Sequence, residues 1–234
     1  MTLKQAKISS KSAGLLYLII ALVGGLSIGY MPTEIVVDGD ASMTFQNLIN
    51  NQSLFKWGIA GDIAVLIMET LLTVILYQLF KAENEMGMTI ATFSRMAMAI
   101  IMGVNLVIYM VPAILLQKPD FMSSFSQPEI ESLTLLSFKL HNYGILAWQI
   151  FFAIHLFTLG FVIRNSGNVP KYLGLTMLIG GIGYGGDSII QLLFLDAEWL
   201  SITFSSLLVL AVAAEFWFAF WLLIKGYRRS EING

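Results

Sequence analysis

Asp62, Glu69, Arg95, His155, Asp187 and Glu215 each interrupt a stretch that is otherwise almost wholly apolar. An ionised side chain near the centre of a membrane helix costs about 2.5–3.5 kcal/mol on insertion scales, so such residues ordinarily turn toward protein or water. Asp62 and Glu69 share one face of a helix and lie about 10 Å apart along its axis. With everything ionised and His155 neutral, the four acids and Arg95 sum to −3, which a low-dielectric interior resists. Some of these acids are expected to bind protons, or a cation to enter among them. The six residues are therefore the candidate ligand- or ion-binding set, in two layers: Asp62 and Asp187 in the outer half, Glu69, Arg95, His155 and Glu215 central to inner. A purely structural network is the alternative, with Arg95 paired to Glu69 or Glu215 and His155 donating to a nearby acceptor. If the set does chemistry, His155 is the candidate acid or base, oriented by Glu69 or Glu215.

Other chemistries find little material. The chain has no cysteine and two histidines, His141 and His155, whereas a zinc site takes three or four His, Cys, Asp or Glu ligands. No H-E-x-x-H or G-x-S-x-G motif occurs; no metal or cofactor is assigned. GIGYGG, Gly181 to Gly186, matches the letters of a dinucleotide loop. That loop needs a strand before it and a helix opening on it, but here LGLTMLIG precedes and SIIQLLFL follows. A phosphate loop cannot face lipid, so the glycines are expected to pack helices. Gly181-x-x-x-Gly185 and Gly25-x-x-x-Gly29 have the spacing for close backbone approach. Gly180, Gly183, Asp187 and Gln191 add a polar stripe on the same helix.

The elements that carry these residues follow from composition. The 234 residues are 57% hydrophobic and 12% charged, with mean hydropathy +0.77, against about 45–50% apolar and about 25% charged for a soluble domain. The expected fold is all-α, an integral membrane bundle of six transmembrane helices over 13–31, 55–80, 89–116, 143–163, 173–195 and 200–224. Lys4, Lys7, Lys11, Lys81, Arg164, Lys171, Lys225, Arg228 and Arg229 fall on one side, Lys56, Lys118 and Lys139 on the other. Basic residues stay cytoplasmic, so both termini are expected inside. Residues 1–12 form a cytoplasmic segment, 13–225 the transmembrane domain and 226–234 a cytoplasmic tail. Short interfacial helices are expected in the two long outer loops. The first would be capped by Asp40 and bury Met43, Phe45, Leu48 and Ile49; the second would span PEIESLTLLSFKLH. The run Phe216, Trp217, Phe218, Phe220 and Trp221 is expected to face lipid and neighbouring helices, with Trp221 and Tyr227 as inner-interface anchors.

AGLLYL, VDGDASMTFQNL leading to SLFKWGI, FFAIHLFTLGFVIRNSGNVPKYLGLTMLIGGIGYGGDS and AEFWFAFWLLIKG occur in that order. Together they resemble a bacterial family of polytopic membrane proteins, domain-of-unknown-function family 4386. The resemblance covers most of the chain and places weight on Asp40, His155, Arg164, Ser166, Gly167, Pro170, Gly174, Tyr184 and Glu215. Lys56 and Lys171 stand where the family usually has arginine, so a bidentate anion clamp is not expected there. The resemblance implies a fold and a bacterial cytoplasmic membrane location, and no activity. Lys56 could still pair with Asp40 and close the first outer loop over the bundle as an outer gate.

The leading functional expectation is binding or transport of a small molecule, proton or cation through an intramembrane polar cavity. An intramembrane enzyme using His155 on a lipid-like substrate, and a non-catalytic sensor or partner subunit, are the alternatives. The expected partner is the lipid bilayer, with homo-oligomerisation through Gly-rich helix faces also open. Net charge −2 gives no basic field for nucleic acid. The orientation is checked by a cysteine placed at Ser166: it should resist impermeant thiol reagents on intact cells, and labelling from outside would invert the topology.

Overall fold

The computed structural model describes residues 3–117, 120 and 123–226, with side chains from Gln5 onward. Lys118, Tyr227, Arg228, Arg229 and the Lys4 side chain, used above, lie outside what is described. Among the described residues seven α-helices follow one another: α1 (Leu3–Gly24), α2 (Ala41–Asn50), α3 (Gln52–Phe80), α4 (Glu85–Leu116), α5 (Gln127–Asn165), α6 (Lys171–Leu192) and α7 (Glu198–Ile224). A π-helical turn over Gly25–Tyr30 and a 3-10 turn over Met31–Glu34 extend α1. Among the described residues six helical stretches are long and apolar enough to cross a membrane, and no strand occurs. The fold is an all-helical, multi-pass membrane type.

The chain divides into two compact units. One comprises Met1–Ile19, Met68–Ala99 and Leu146–Gly234; the other comprises Ile20–Ile67 and Ile100–Ile145. In the first unit, Phe218 is fully buried, with Tyr17 edge-on at 5.6 Å and Trp221 stacked at 6.3 Å between ring centroids. Phe216, Trp217 and Phe220 are exposed as a lipid-facing set should be, but Trp221 is 7% exposed. It is a core residue rather than an interface anchor, because helical spacing puts it on the Phe218 face.

The glycines of α6 are packing positions on two faces. A Cβ on Gly180 would come within 2.6 Å of Ala211 Cβ, and one on Gly183 within 2.7 Å of Leu207 Cβ, both on α7. A Cβ on Gly181 would come within 2.9 Å of the Ala153 carbonyl on α5, and Gly160 and Gly174 bring α5 and α6 equally close. Gly25 and Gly29 differ: nothing lies within 4 Å of the position a Cβ would take. Both lie in the π-helical turn, and within the chain their spacing does not form a packed face.

In the second unit, Phe55, Tyr109 and Phe138 meet edge to face with centroids 5.0–6.0 Å apart, and Ile35 and Leu48 join them. Gly39 adopts the left-handed φ of +78° that an L side chain resists. It turns the chain so that Asp40 Oδ1 accepts the Met43 amide at 2.8 Å and opens α2. Phe45 and Leu48 are buried, but Met43 and Ile49 are 50% and 39% exposed. Thr44 takes the inward place instead, its hydroxyl engaged by both the amide and the carbonyl of Val37. Residues 128–141 are helical but not separate from the next span. They form the start of the 39-residue α5, about 58 Å long at 1.5 Å per residue and longer than a hydrocarbon core of about 30 Å. Nothing breaks it: Gly144 continues the helix, and a Cβ there would overlap the Asn105 side chain.

Gly180→Ala should lower unfolding free energy in detergent by about 1–3 kcal/mol, the usual cost of overpacking. Gly25→Ala should leave it unchanged or slightly raised. Equal effects would contradict the assignment of α6 as the close-packed helix.

Candidate functional site

Arg95 of α4 lies in the first unit, 1% exposed. A guanidinium has five donors and no acceptor, so every group bonded to it must accept. Its Nε donates to Glu69 Oε2 on α3 at 2.7 Å, and Nη2 lies 2.6 Å from the same oxygen. Nη1 donates to Tyr17 OH on α1 at 3.2 Å and to His155 Nε2 on α5 at 2.8 Å. The rings of Tyr17 and Phe152 lie 5.2 and 5.5 Å from the guanidinium carbon, in range for cation–π attraction.

These contacts fix His155. Its Nε2 accepts from Arg95, so the ring proton sits on Nδ1, which donates to the Ala91 carbonyl at 2.8 Å. The imidazole is neutral with both nitrogens engaged, and no carboxylate bonds to either among the described residues. Of the two carboxylates that could pair with Arg95, Glu69 holds the position.

Glu215 of α7 stands apart. It is half-buried, within electrostatic reach of Arg95, Glu69, Tyr17 and Tyr184, yet it has no hydrogen bond or ion pair among the described residues. Tyr184 of α6 packs edge-on to Phe152 at 5.0 Å, completing the aromatic surroundings. Glu69 with Arg95 is neutral, and so is His155, which leaves Glu215 as the uncompensated acid of this group.

The remaining candidates lie elsewhere. Asp187 is buried and satisfied: Gln191 Nε2 donates to Oδ2 at 2.8 Å and Ser205 Oγ to Oδ1 at 3.2 Å. The polar stripe of α6 thus faces α7. Asp62 belongs to the second unit, where its Oδ1 has no partner. Asp40 is engaged in capping α2, Lys56 is exposed, and no ion pair joins them among the described residues. Gly167, at φ +69°, and Pro170 shape the turn into α6, where Asn168 donates to Glu83 at 3.1 Å. Among the described residues no three His, Asp or Glu side chains converge as a metal site would need. Sequence reasoning missed Tyr17 and Phe152, because an aromatic residue in an apolar helix carries no sign of the cation beside it.

A family model described as "Domain of unknown function (DUF4386)" matches residues 12–226. An uncharacterised protein of Archaeoglobus fulgidus is 38% identical over 104 residues, 42% of this chain and 59% of that relative. The matched stretch therefore spans less than two thirds of the relative's length. No solved structure matches the chain. With nearly its whole length matched, from the first apolar helix to the end of the last, the chain belongs to the DUF4386 family of proteins of unknown function.

Proposed function

We propose that the protein binds or transports a small molecule or ion within the cytoplasmic membrane, with Glu215 as the carboxylate that exchanges a proton or cation. The observation that carries this reading is the contrast inside one group of side chains. Glu69 is neutralised by Arg95 at 2.6 Å, while Glu215, beside them, has no partner. An uncompensated carboxylate in low dielectric is stabilised by taking up a proton or by a visiting cation, and its state then depends on what occupies the site. Arg95, Tyr17 and His155 hold the surrounding geometry, and Tyr184 lines it. Acid–base catalysis by His155 has less support, since it would first have to give up Arg95 or Ala91.

Purified protein in proteoliposomes carrying an internal pH dye should couple imposed sodium or potassium gradients to internal pH change. Glu215→Gln should abolish that coupling, and Glu198→Gln, at an exposed acid, should leave it intact. No coupling in the natural protein, or equal coupling in Glu215→Gln, would overturn the proposal.

A further inference from the structure

The second unit holds five buried polar atoms without hydrogen-bond partners: Ser27 Oγ, Asp62 Oδ1, Asn105 Oδ1, Tyr109 OH and His141 Nε2. Their side chains are 0–7% exposed, and contacts run from one to the next. Gly61, beside Asp62, leaves room for Ser27, whose Cβ lies 2.7 Å from where a Cβ on Gly61 would be. The Ser27 hydroxyl lies near the Asp62 carboxyl, though without a well-formed bond to it. Asp62 acts electrostatically on Tyr109, and the Tyr109 hydroxyl lies over Gly58, one helical turn before Asp62, where a Cβ would be 3.1 Å away. The Tyr109 ring stacks on His141 at 4.3 Å. Asn105 Nδ2 donates to the His141 carbonyl at 2.9 Å, and His141 Nδ1 faces the Asn105 carbonyl at 3.4 Å.

These contacts settle what the free atoms can do. Asn105 has spent its amide nitrogen, so its oxygen is left to accept. With the His141 proton on Nδ1 toward a carbonyl, Nε2 is left as a lone pair. Asp62 is a carboxyl, and the two hydroxyls can donate or accept. The set is therefore rich in acceptors, and its one carboxyl can carry a negative charge when a cation is beside it. Each buried polar group left unmade costs about 1–3 kcal/mol, which for five atoms would rival the whole stability of a typical domain, about 5–15 kcal/mol. A guest rich in N–H donors and positively charged satisfies the most of them at once. An alkali cation would take the oxygens but leave the His141 nitrogen unmet, since hard cations prefer oxygen. Within the same unit, a cleft of about 440 Å³ lined by Ile28, Asp38, Phe138 and His141 reaches one member of the set, His141.

We propose that Asp62, Ser27, Asn105, Tyr109 and His141 form a binding site for a small N–H cation, an ammonium ion or primary alkylammonium. This assigns a ligand class and rests on the reading above that the protein binds a small molecule or ion. Its test uses the full chain in lipid nanodiscs, with radiolabelled methylammonium as probe in equilibrium dialysis at constant ionic strength. Binding should be saturable at one per chain, weakened about tenfold or more by Asp62→Asn, as expected for a lost charged hydrogen bond, and reduced by Tyr109→Phe. Both substitutions nearly conserve shape; if Asp62→Asn fails to fold, Tyr109→Phe and sodium competition against the natural protein decide. No saturable binding, equal binding after substitution, or displacement by equimolar sodium would overturn the site. Cation-driven pH change at Glu215 and methylammonium binding at Asp62 are read separately, so either can fail without the other.

Discussion

A guanidinium that cannot lose its proton has been placed where almost no water reaches, and much of the first unit is arranged around that constraint. Arg95 needs acceptors on several sides, and they come from separate helices: Glu69 from α3, Tyr17 from α1 and His155 from α5. Inserting a lone arginine costs about 2.5–3.5 kcal/mol, whereas breaking a buried ion pair costs about 3–5 kcal/mol. Arrangements that separate these helices would strand a buried charge and are disfavoured by that cost. His155, although the one histidine of this group, acts here as an acceptor for that cation, and its tautomer follows from the role.

Close helix approach makes such a polar centre reproducible. Because Gly160, Gly174 and Gly181 let α5 and α6 touch backbone to backbone, and Gly180 and Gly183 do the same for α6 and α7, side chains on these helices have little freedom of placement. Tyr184 and Glu215 are carried on that rigid pair. Glu215 is held near a neutralised ion pair rather than in it, so it takes no part in the bonds that tie Arg95 to the neighbouring helices.

The spans and the intramembrane ionisable residues were legible from sequence because charge in an apolar run is costly and therefore conspicuous. Asp40 was legible as a cap because DGD supplies both the left-handed glycine and the acceptor. The division of Asp62 from Glu69 between two compact units was not legible, since a shared helix face says nothing about which neighbours each end meets. Tyr17, Ser27, Asn105 and Tyr109 were passed over because hydroxyls and amides add little to the cost of a span, so only partners in space reveal them. The glycine pattern marked a close approach at Gly181, whereas a Cβ on Gly185 would make only an ordinary contact at 3.4 Å and Gly25 and Gly29 meet nothing within 4 Å inside the chain. Continuity of α5 was not legible because the polar residues Lys139, His141 and Asn142 fall between two apolar stretches, whereas the helix runs through them without a break.

The most direct measurement of the account is a double-mutant cycle on Arg95 and Glu69, followed by reversible unfolding in mixed micelles. Arg95→Met and Glu69→Gln should each destabilise by about 3–5 kcal/mol by stranding a buried group, and the double variant should recover much of that loss, giving a large coupling energy. Additive losses, or single substitutions without effect, would show that the pair does not organise the unit and would remove the reason for treating Glu215 as the acid left over.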